Sequence, residues 1–240
     1  MPPDGALVAA VRGEAVVATA VWSASWDAVL SEIGDPAAAE ALAGALATED
    51  LRGVHGPIER VEAFARAWAA KRGVACRQAM HQRIYALERV RPPIGVPGRL
   101  RRATRADRAT LVEWITAFDR EAMGSPVARD HGAIADELIA SERRLGYVWE
   151  DGVPVSMLQA TGATPHGIRI GAVYTPPERR GRGYASACVA AASQAQLDAG
   201  RRWCFLFTDV ANPTSNRIYQ AIGYEPVRDV AVWRFARDAT

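Results

Sequence analysis

Fourteen consecutive residues, Val173-Tyr174-Thr175-Pro176-Pro177-Glu178-Arg179-Arg180-Gly181-Arg182-Gly183-Tyr184-Ala185-Ser186, concentrate much of the chemistry open to this sequence. They read as a strand, a proline-punctuated turn and a glycine-rich basic loop that opens a long alanine-rich helix. The first N–H groups of a helix lack intrahelical partners, and the helix dipole adds partial positive charge there, so the junction suits a phosphorylated ligand. Glycine at Gly181 and Gly183 removes the Cβ atoms that would hold an anion off the backbone. Arg179, Arg180 and Arg182 add full charges and forked donors. The plainer account of the same residues is a basic surface turn that caps a helix. Further on, Asn212, Asn216 and Tyr219 share one helical face by four- and three-residue spacing, and Ile218 and Ile222 fall on the neighbouring face, suited to a core. Tyr219 is then directed away from that core, with a hydroxyl that titrates near 10 and can give up a proton.

Elements that could position these groups follow from the pattern around them. The chain has 240 residues, about half apolar and a quarter charged, which fits a globular protein of one large domain or two small ones. Net charge is only +2, so no broad basic face for nucleic acid is implied. Three separated cysteines, Cys76, Cys188 and Cys204, without metal spacing suit a reducing compartment. No stretch has the length of a membrane span, and no signal segment is visible, so a cytoplasmic location is expected. His131 and His166 stand alone, and no metal site is expected.

Along the chain, Ala6–Val11 and Ala15–Trp22 flank a turn at Arg12-Gly13. Asp35-Pro36 caps a short helix over Ala37–Ala47. Gly56-Pro57 opens a second helix with Ile58, Val61, Phe64 and Trp68 on one stripe, which Gly73 ends. Val74–Val90 alternates as an extended segment. Residues 91–98 hold three prolines and two glycines, which sustain neither helix nor central strand, so they read as a linker. Residues 1–90 and 99–240 then form separate domains. After the linker come a short strand over Leu100–Ala103, a helix capped by Thr104, a helix over Gly132–Arg144, a hairpin around Asp151-Gly152, and a strand over Ile168–Thr175. The glycine loop and its helix follow, ending near Gly200. A strand over Trp203–Thr208, the Asn212-Pro213 helix to Gly223, and two short strands within Glu225–Phe235 complete the chain. The expected class is α/β (α+β): a mixed, mostly antiparallel sheet flanked by helices, preceded by a smaller α/β module.

Residues 99–235 resemble the GNAT superfamily of acyl-CoA N-acyltransferases. Arg180-Gly181-Arg182-Gly183-Tyr184-Ala185 is similar to the family's R/Q-x-x-G-x-G/A loop, directly after a strand. Asn212-Pro213-Thr214-Ser215-Asn216-Arg217-Ile218-Tyr219, followed by Ile222-Gly223-Tyr224, is similar to its N-x-x-S-x-x-I/L-Y helix and glycine-aromatic ending. A Rossmann site fits poorly, because Ser186 stands where a third glycine is needed, and a P-loop lacks its Lys-Ser/Thr.

The resemblance implies an N-acetyltransferase that uses acetyl-CoA and transfers its acetyl group directly to the amine of a small molecule or peptide. The amides of Gly181, Arg182, Gly183, Tyr184, Ala185 and Ser186 would cradle the pyrophosphate, with the Arg180 and Arg182 side chains near the phosphates. The backbone of Ala172, Val173, Tyr174 and Thr175 would meet the pantetheine arm. Asn212 and Asn216 would border the cofactor, and Tyr219 would be the general acid for the leaving thiolate. Many relatives carry a carboxylate on the strand before the loop. Gly167-Ile168-Arg169-Ile170-Gly171 has none, so Asp209, Glu113 or Glu121 is left as a candidate base, or else a water relay. The missing carboxylate also leaves room for a non-catalytic acyl-CoA-binding or sensory protein. The first half could be a degenerate copy of the second or a capping module. It has no glycine loop before Asp35-Pro36, and aligning Gly73 with Gly223 puts Ala69 at the position of Tyr219.

Overall fold

A computed structural model describes residues 5–24, 26–32, 35–123 and 129–236. In chain order the first elements are β1 (Gly5–Arg12), β2 (Ala15–Ser23), β3 (Trp26–Leu30), α1 (Pro36–Ala45), β4 (Gly53–Pro57), α2 (Ile58–Arg72) and β5 (Cys76–Leu87). Then follow β6 (Arg99–Arg102), α3 (Arg108–Met123), α4 (His131–Ala140), β7 (Leu145–Asp151), β8 (Val153–Thr161) and β9 (Gly167–Tyr174). The last are α5 (Tyr184–Asp198), β10 (Trp203–Asp209), α6 (Pro213–Ile222) and β11 (Glu225–Phe235).

Two compact units are built from interleaved segments: Met1–Ile84 with Thr208–Asn212 and Val227–Thr240, and Tyr85–Phe207 with Pro213–Pro226. They differ from the contiguous segments read from sequence. Residues 91–98, expected as a linker, lie inside the second unit, where the Arg91 N–H donates to the Ile222 carbonyl (2.7 Å) and the Pro97 carbonyl accepts from Trp149 Nε1 (2.8 Å). Glu225–Phe235, expected as two strands, is one. From Val227 onward it belongs to the first unit, because Ala231, Trp233 and Phe235 alternate into that unit's core and Phe235 packs on Trp68 at 4.2 Å between ring centroids.

Each unit repeats one topology. In the first, β1–β2 and β2–β3 pair antiparallel, β3–β4 pair parallel, and α1 and α2 follow β3 and β4. In the second, β7–β8 and β8–β9 are antiparallel, β9–β10 parallel, and α5 and α6 follow β9 and β10. The second helix of each set ends alike. The Val74 N–H donates to the Ala69 carbonyl (3.1 Å) past left-handed Gly73, and the Tyr224 N–H donates to the Tyr219 carbonyl (3.0 Å) past Gly223, which also has positive φ. The second unit adds β6, α3 and α4 ahead of this pattern. Its β6 pairs antiparallel with β7, giving a largely antiparallel sheet flanked by helices, as expected.

The core of the second unit has two parts. On one face α5 buries Ala187, Cys188, Val189 and Ala192 among Leu158, Ile168, Ile170 and Leu206. On the other, Leu111, Trp114 and Ile115 of α3 and Leu138 of α4 pack over Val148, Met157 and Tyr174. Alternation along β9 and β10 thus sends Ile168, Ile170, Cys204 and Leu206 toward α5 and leaves Arg169, Phe205 and Phe207 on the opposite face. No described helix is long and apolar enough to cross a membrane.

Candidate functional site

A break in the sheet of the second unit, between two adjacent strands, organises the site. Strands β9 and β10 pair in parallel only through Trp203↔Gly167, Cys204↔Ile168 and Phe205↔Arg169. Past that point β9 keeps its ladder with β8 but, among the described residues, pairs with none on its other edge. A bulge accompanies the break. Met157 faces Tyr174 and Gln159 faces Gly171, so Ala172 and Val173 together oppose the single residue Leu158. Ala172 has φ 45°, the one non-glycine residue with positive φ among those described. A β-bulge increases local twist and bends its strand, which accounts for the separation of β9 from β10. The sequence marks the spot only by two small residues, Gly171-Ala172.

Buried polar contacts fix the end of β9. Ser156 Oγ donates to the Tyr174 carbonyl (3.0 Å) and accepts from Thr175 Oγ1 (2.9 Å). Tyr174 is buried against Trp114, at 6.2 Å between ring centroids. What Val173, Tyr174 and Thr175 can offer a ligand is therefore backbone on the open edge rather than side-chain chemistry.

The loop then turns through a short 3₁₀ segment, Pro177–Arg179, and two left-handed glycines, Gly181 (φ 75°) and Gly183 (φ 78°). Gly183 is the N-cap of α5 and no side chain caps the helix, so the amides of Tyr184, Ala185 and Ser186 face outward without an intrahelical acceptor. Gly183 is also sterically required, since a Cβ there would lie 2.9 Å from Val96 Cγ2, whereas one on Gly181 would meet nothing within 4 Å. Tyr184 anchors the turn from below: its ring is buried and its hydroxyl donates to Asp151 Oδ2 (2.6 Å). The matching helix of the first unit is closed by its own anion. Asp35 caps α1, accepting from the Ala37 N–H (3.1 Å) and pairing with Arg12.

Arg180 is placed differently from the expectation of a side chain free for phosphate. Its Nε donates to the Thr175 carbonyl (2.9 Å), its Nη2 to Glu121 Oε2 (2.7 Å), and its guanidinium lies over the Tyr174 ring (5.7 Å). Its own amide donates to the Pro177 carbonyl (3.2 Å). Arg180 braces the loop, and Glu121 is engaged by it. Arg182 is exposed.

On α6, Asn216 and Tyr219 lie within the second unit, while Asp209 and Asn212 belong to the first. Tyr85, fully buried on β5, donates to Asn216 Oδ1 (3.0 Å) and accepts from Gln220 Nε2 (3.0 Å), a clamp on α6 that the sequence does not reveal. Tyr219 is less free of the core than its spacing implied. It is half-buried, with its ring edge-on to Tyr224 at 5.9 Å, because buried Tyr224 extends the core beneath it. Burial pushes its hydroxyl up to about 12. Asp209 Oδ1 accepts from the Ala211 N–H (2.8 Å) and the Asp209 carbonyl from the Asn212 N–H (3.0 Å), so its carboxylate shapes the turn after β10. Glu113 is exposed on α3.

Among the described residues no group of three or more His, Cys, Asp or Glu side chains could hold a metal ion. His131 sits instead between Asp119 Oδ2 (2.9 Å) and Thr116 Oγ1 (3.0 Å), joining α3 to α4.

Similarity to known proteins agrees with this geometry. Solved structures that share the fold include three from different organisms. A protein from Drosophila superposes with a TM-score of 0.68 at 14% identity, covering 98% of this chain and 80% of its own. A GCN5-related N-acetyltransferase from Kribbella flavida gives 0.63 at 20% identity, covering 92% and 88%. An acetyltransferase of the GNAT family from Colwellia psychrerythraea gives 0.58 at 10% identity, covering 96% and 85%. A search of curated proteins finds no match. The family model described as "Acetyltransferase (GNAT) family" matches residues 108–224, the segment that carries the bulged strand, the glycine loop and α6. Residues 108–224 are an acetyltransferase domain of the GNAT family.

Proposed function

We propose that this protein is an N-acetyltransferase that binds acetyl-CoA along the open edge of β9 and passes its acetyl group directly to an amine. One observation carries the reading: the strand break at Arg169/Phe205 leads along an unpaired edge to an uncapped helix N-terminus built on Gly181 and Gly183. The pyrophosphate would rest on the amides of Gly181, Arg182, Gly183, Tyr184, Ala185 and Ser186, where orphan donors and the helix dipole favour negative charge. The Arg182 side chain would add charge from the rim, while Arg180 would position the loop. The backbone of Val173, Tyr174 and Thr175 would hydrogen-bond the pantetheine arm as an added strand does. That brings the thioester to the point where β9 and β10 part.

In the transfer, the amine nitrogen attacks the thioester carbonyl carbon. The C–N bond forms, the C–S bond breaks, and the sulfur leaves with the electron pair. A β9 amide near the bulge would hold the oxyanion. Tyr219 would hydrogen-bond the departing sulfur. With its hydroxyl near 12 and a thiol near 8.5, full proton transfer ahead of bond cleavage is unfavourable, so the proton would move late. The proton lost by the amine would return through water to the Tyr219 oxygen, so that amine and thioester give amide and free thiol with Tyr219 restored. Asp209 is placed as a turn residue, and Asn216 would serve α6 through Tyr85 rather than the ligand directly.

Free-thiol release from acetyl-CoA across an amine panel tests this. Tyr219→Phe should lower kcat by about 10²-fold with little change in CoA affinity. With its hydroxyl pushed up to about 12, Tyr219 stays protonated through the neutral and mildly alkaline range, so no loss of activity there should depend on it. Thiol release with no amine, or an undiminished Phe variant, would refute the reading. The absence of a carboxylate on β9 favours one rival, a non-catalytic acyl-CoA-binding protein. Tight CoA binding without turnover of any amine would decide for it.

A further inference from the structure

We propose that the acceptor amine carries a carboxylate, recognised by Arg169 at the break between β9 and β10. The inference rests on the acetyltransferase reading above and specifies its substrate class. Arg169 occupies the last paired position before the strands part, opposite Phe205 on β10 and Thr161 on β8. It points away from α5, on the face with Phe205 and Phe207. Arg169 is exposed as a residue, and its guanidinium lies over the Phe207 ring at 5.8 Å. Among the described residues no carboxylate lies within ion-pair distance of it, in contrast to Arg101, Arg108 and Arg144, which each have one.

A second guanidinium lies beside it. Gln159, opposite Gly171, accepts from Arg144 Nε (2.9 Å), and Arg144 Nη1 donates to Glu137 Oε2 (2.9 Å). Desolvation of the guanidinium, and then the charge of Arg144, lower the Arg169 pKa, so the two cations feel each other. Next to this pair opens a cavity of about 400 Å³ lined by Glu137, Arg143, Arg144, Thr161, Gly162 and Ala163. Thr161 is the cross-strand partner of Arg169, so the cavity opens one strand away from the Arg169 backbone. A cation with a forked donor set, an aromatic floor and no internal counter-ion is suited to a planar anion brought from outside.

The same placement bears on the missing base. A positive charge beside the bound acceptor disfavours its ammonium form, so more of the amine is neutral at a given pH. A carboxylate on the acceptor offsets the charge repulsion that would otherwise keep a cation out. Arg169 is thus a specificity residue that eases deprotonation, where a strand carboxylate would instead take the proton.

The test pairs each amino acid with its carboxyl amide: alanine with alaninamide, and phenylalanine with phenylalaninamide. Binding is read as thermal stabilisation of the CoA-saturated protein, and turnover as thiol release. Wild type should favour the acid over the amide in both readouts. Arg169→Gln should abolish the preference by raising the dissociation constant, or KM, for the acids by about 10- to 100-fold, while CoA binding and the thermal response to amides hold. Arg169→Lys should restore part of it. Equal response to acid and amide in wild type, or a preference that survives in Arg169→Gln, overturns the proposal. The thermal readout needs no turnover, so absence of thiol release would count against the acetyltransferase reading, and loss of the acid preference against this one.

Discussion

Replacing each loop glycine by alanine should separate the two tasks of this turn, holding the ligand and holding the helix. Both glycines have positive φ, where alanine costs about 1–2 kcal/mol. At Gly181 the added methyl meets nothing, and the free loop is exposed, so the backbone can relax to negative φ. Gly181→Ala should therefore change unfolding free energy by less than about 1 kcal/mol. The cost returns when a bound pyrophosphate demands the left-handed turn, and it weakens CoA by about 5- to 30-fold. At Gly183 relaxation is blocked, because the residue is the N-cap of α5 and its Cβ would lie 2.9 Å from Val96 Cγ2. The φ cost and an overpacking cost of about 1–3 kcal/mol both fall on the native state, so Gly183→Ala should lose about 2–5 kcal/mol of stability. Val96→Ala in that background should recover the steric part only. Calorimetric titration of CoA and urea denaturation measure the two quantities. If Gly181→Ala binds CoA as wild type does, the pyrophosphate is not held by this turn, and the cradle is wrong.

Two further outcomes follow from buried polar groups. Asp107 is almost fully buried, accepts from both Nη atoms of Arg101 (2.7 and 2.8 Å), and completes a capping box with Thr104 at the start of α3. The Arg101 hydrogen bonds hold its carboxyl below the usual range despite burial, with Thr104 adding to them. A depressed folded pKa contributes stability above the unfolded value, near 3.9, and loses it as pH falls through the folded one. Asp107→Asn should cost about 2–4 kcal/mol at pH 7, and urea denaturation should show that gap shrinking below pH 4; a gap independent of pH would refute the pairing. Burial also pushes the Cys188 thiol far up and the Cys204 thiol up to about 12, while Cys76 is half-buried. Ellman's reagent should find at most one reactive thiol in the native protein and three in denaturant; rapid labelling of Cys188 or Cys204 in native protein would contradict their burial.

Local signals were legible where one residue type does one job. Asp35-Pro36 at the head of α1, Gly73 at the end of α2, and the 3.6-residue stripe of Val61, Phe64 and Trp68 each predicted the element observed. So did the glycine loop, whose two positive φ values the sequence encodes directly. Strands failed where tertiary packing overrode propensity. No strand is expected over Gly53–Pro57, where Gly56-Pro57 reads only as the opening of a helix, yet it is β4, and its neighbours lie too close for side chains: a Cβ on Gly53 would sit 2.5 Å from the Trp233 carbonyl oxygen, and one on Gly56 2.9 Å from Leu30 Cβ. Residues 91–98 carry the composition of a linker, but composition cannot tell a free segment from one fastened by Arg91, Val96 and Pro97.

The functional half of the site was hidden for a related reason. Anion-binding chemistry is local, and Gly181 to Ser186 display it in six consecutive residues. Acceptor chemistry depends on which residues share a sheet face at a point where two strands part, and that needs the register. Arg169 looked in sequence like a departure from the family's carboxylate. Placed opposite Phe205 and Thr161 and over Phe207, the same departure is what the proposal of a carboxylate-bearing acceptor rests on. The repeated topology sharpens the contrast between the units. Helices α1 and α5 follow equivalent strands, but Asp35 supplies α1 with its own anion, whereas Gly183 leaves α5 open. A helix that carries its own carboxylate has no electrostatic reason to recruit a phosphate. Of the two units, the second alone retains that reason, and Arg169, stacked on Phe207, lies on the same strand that leads to it.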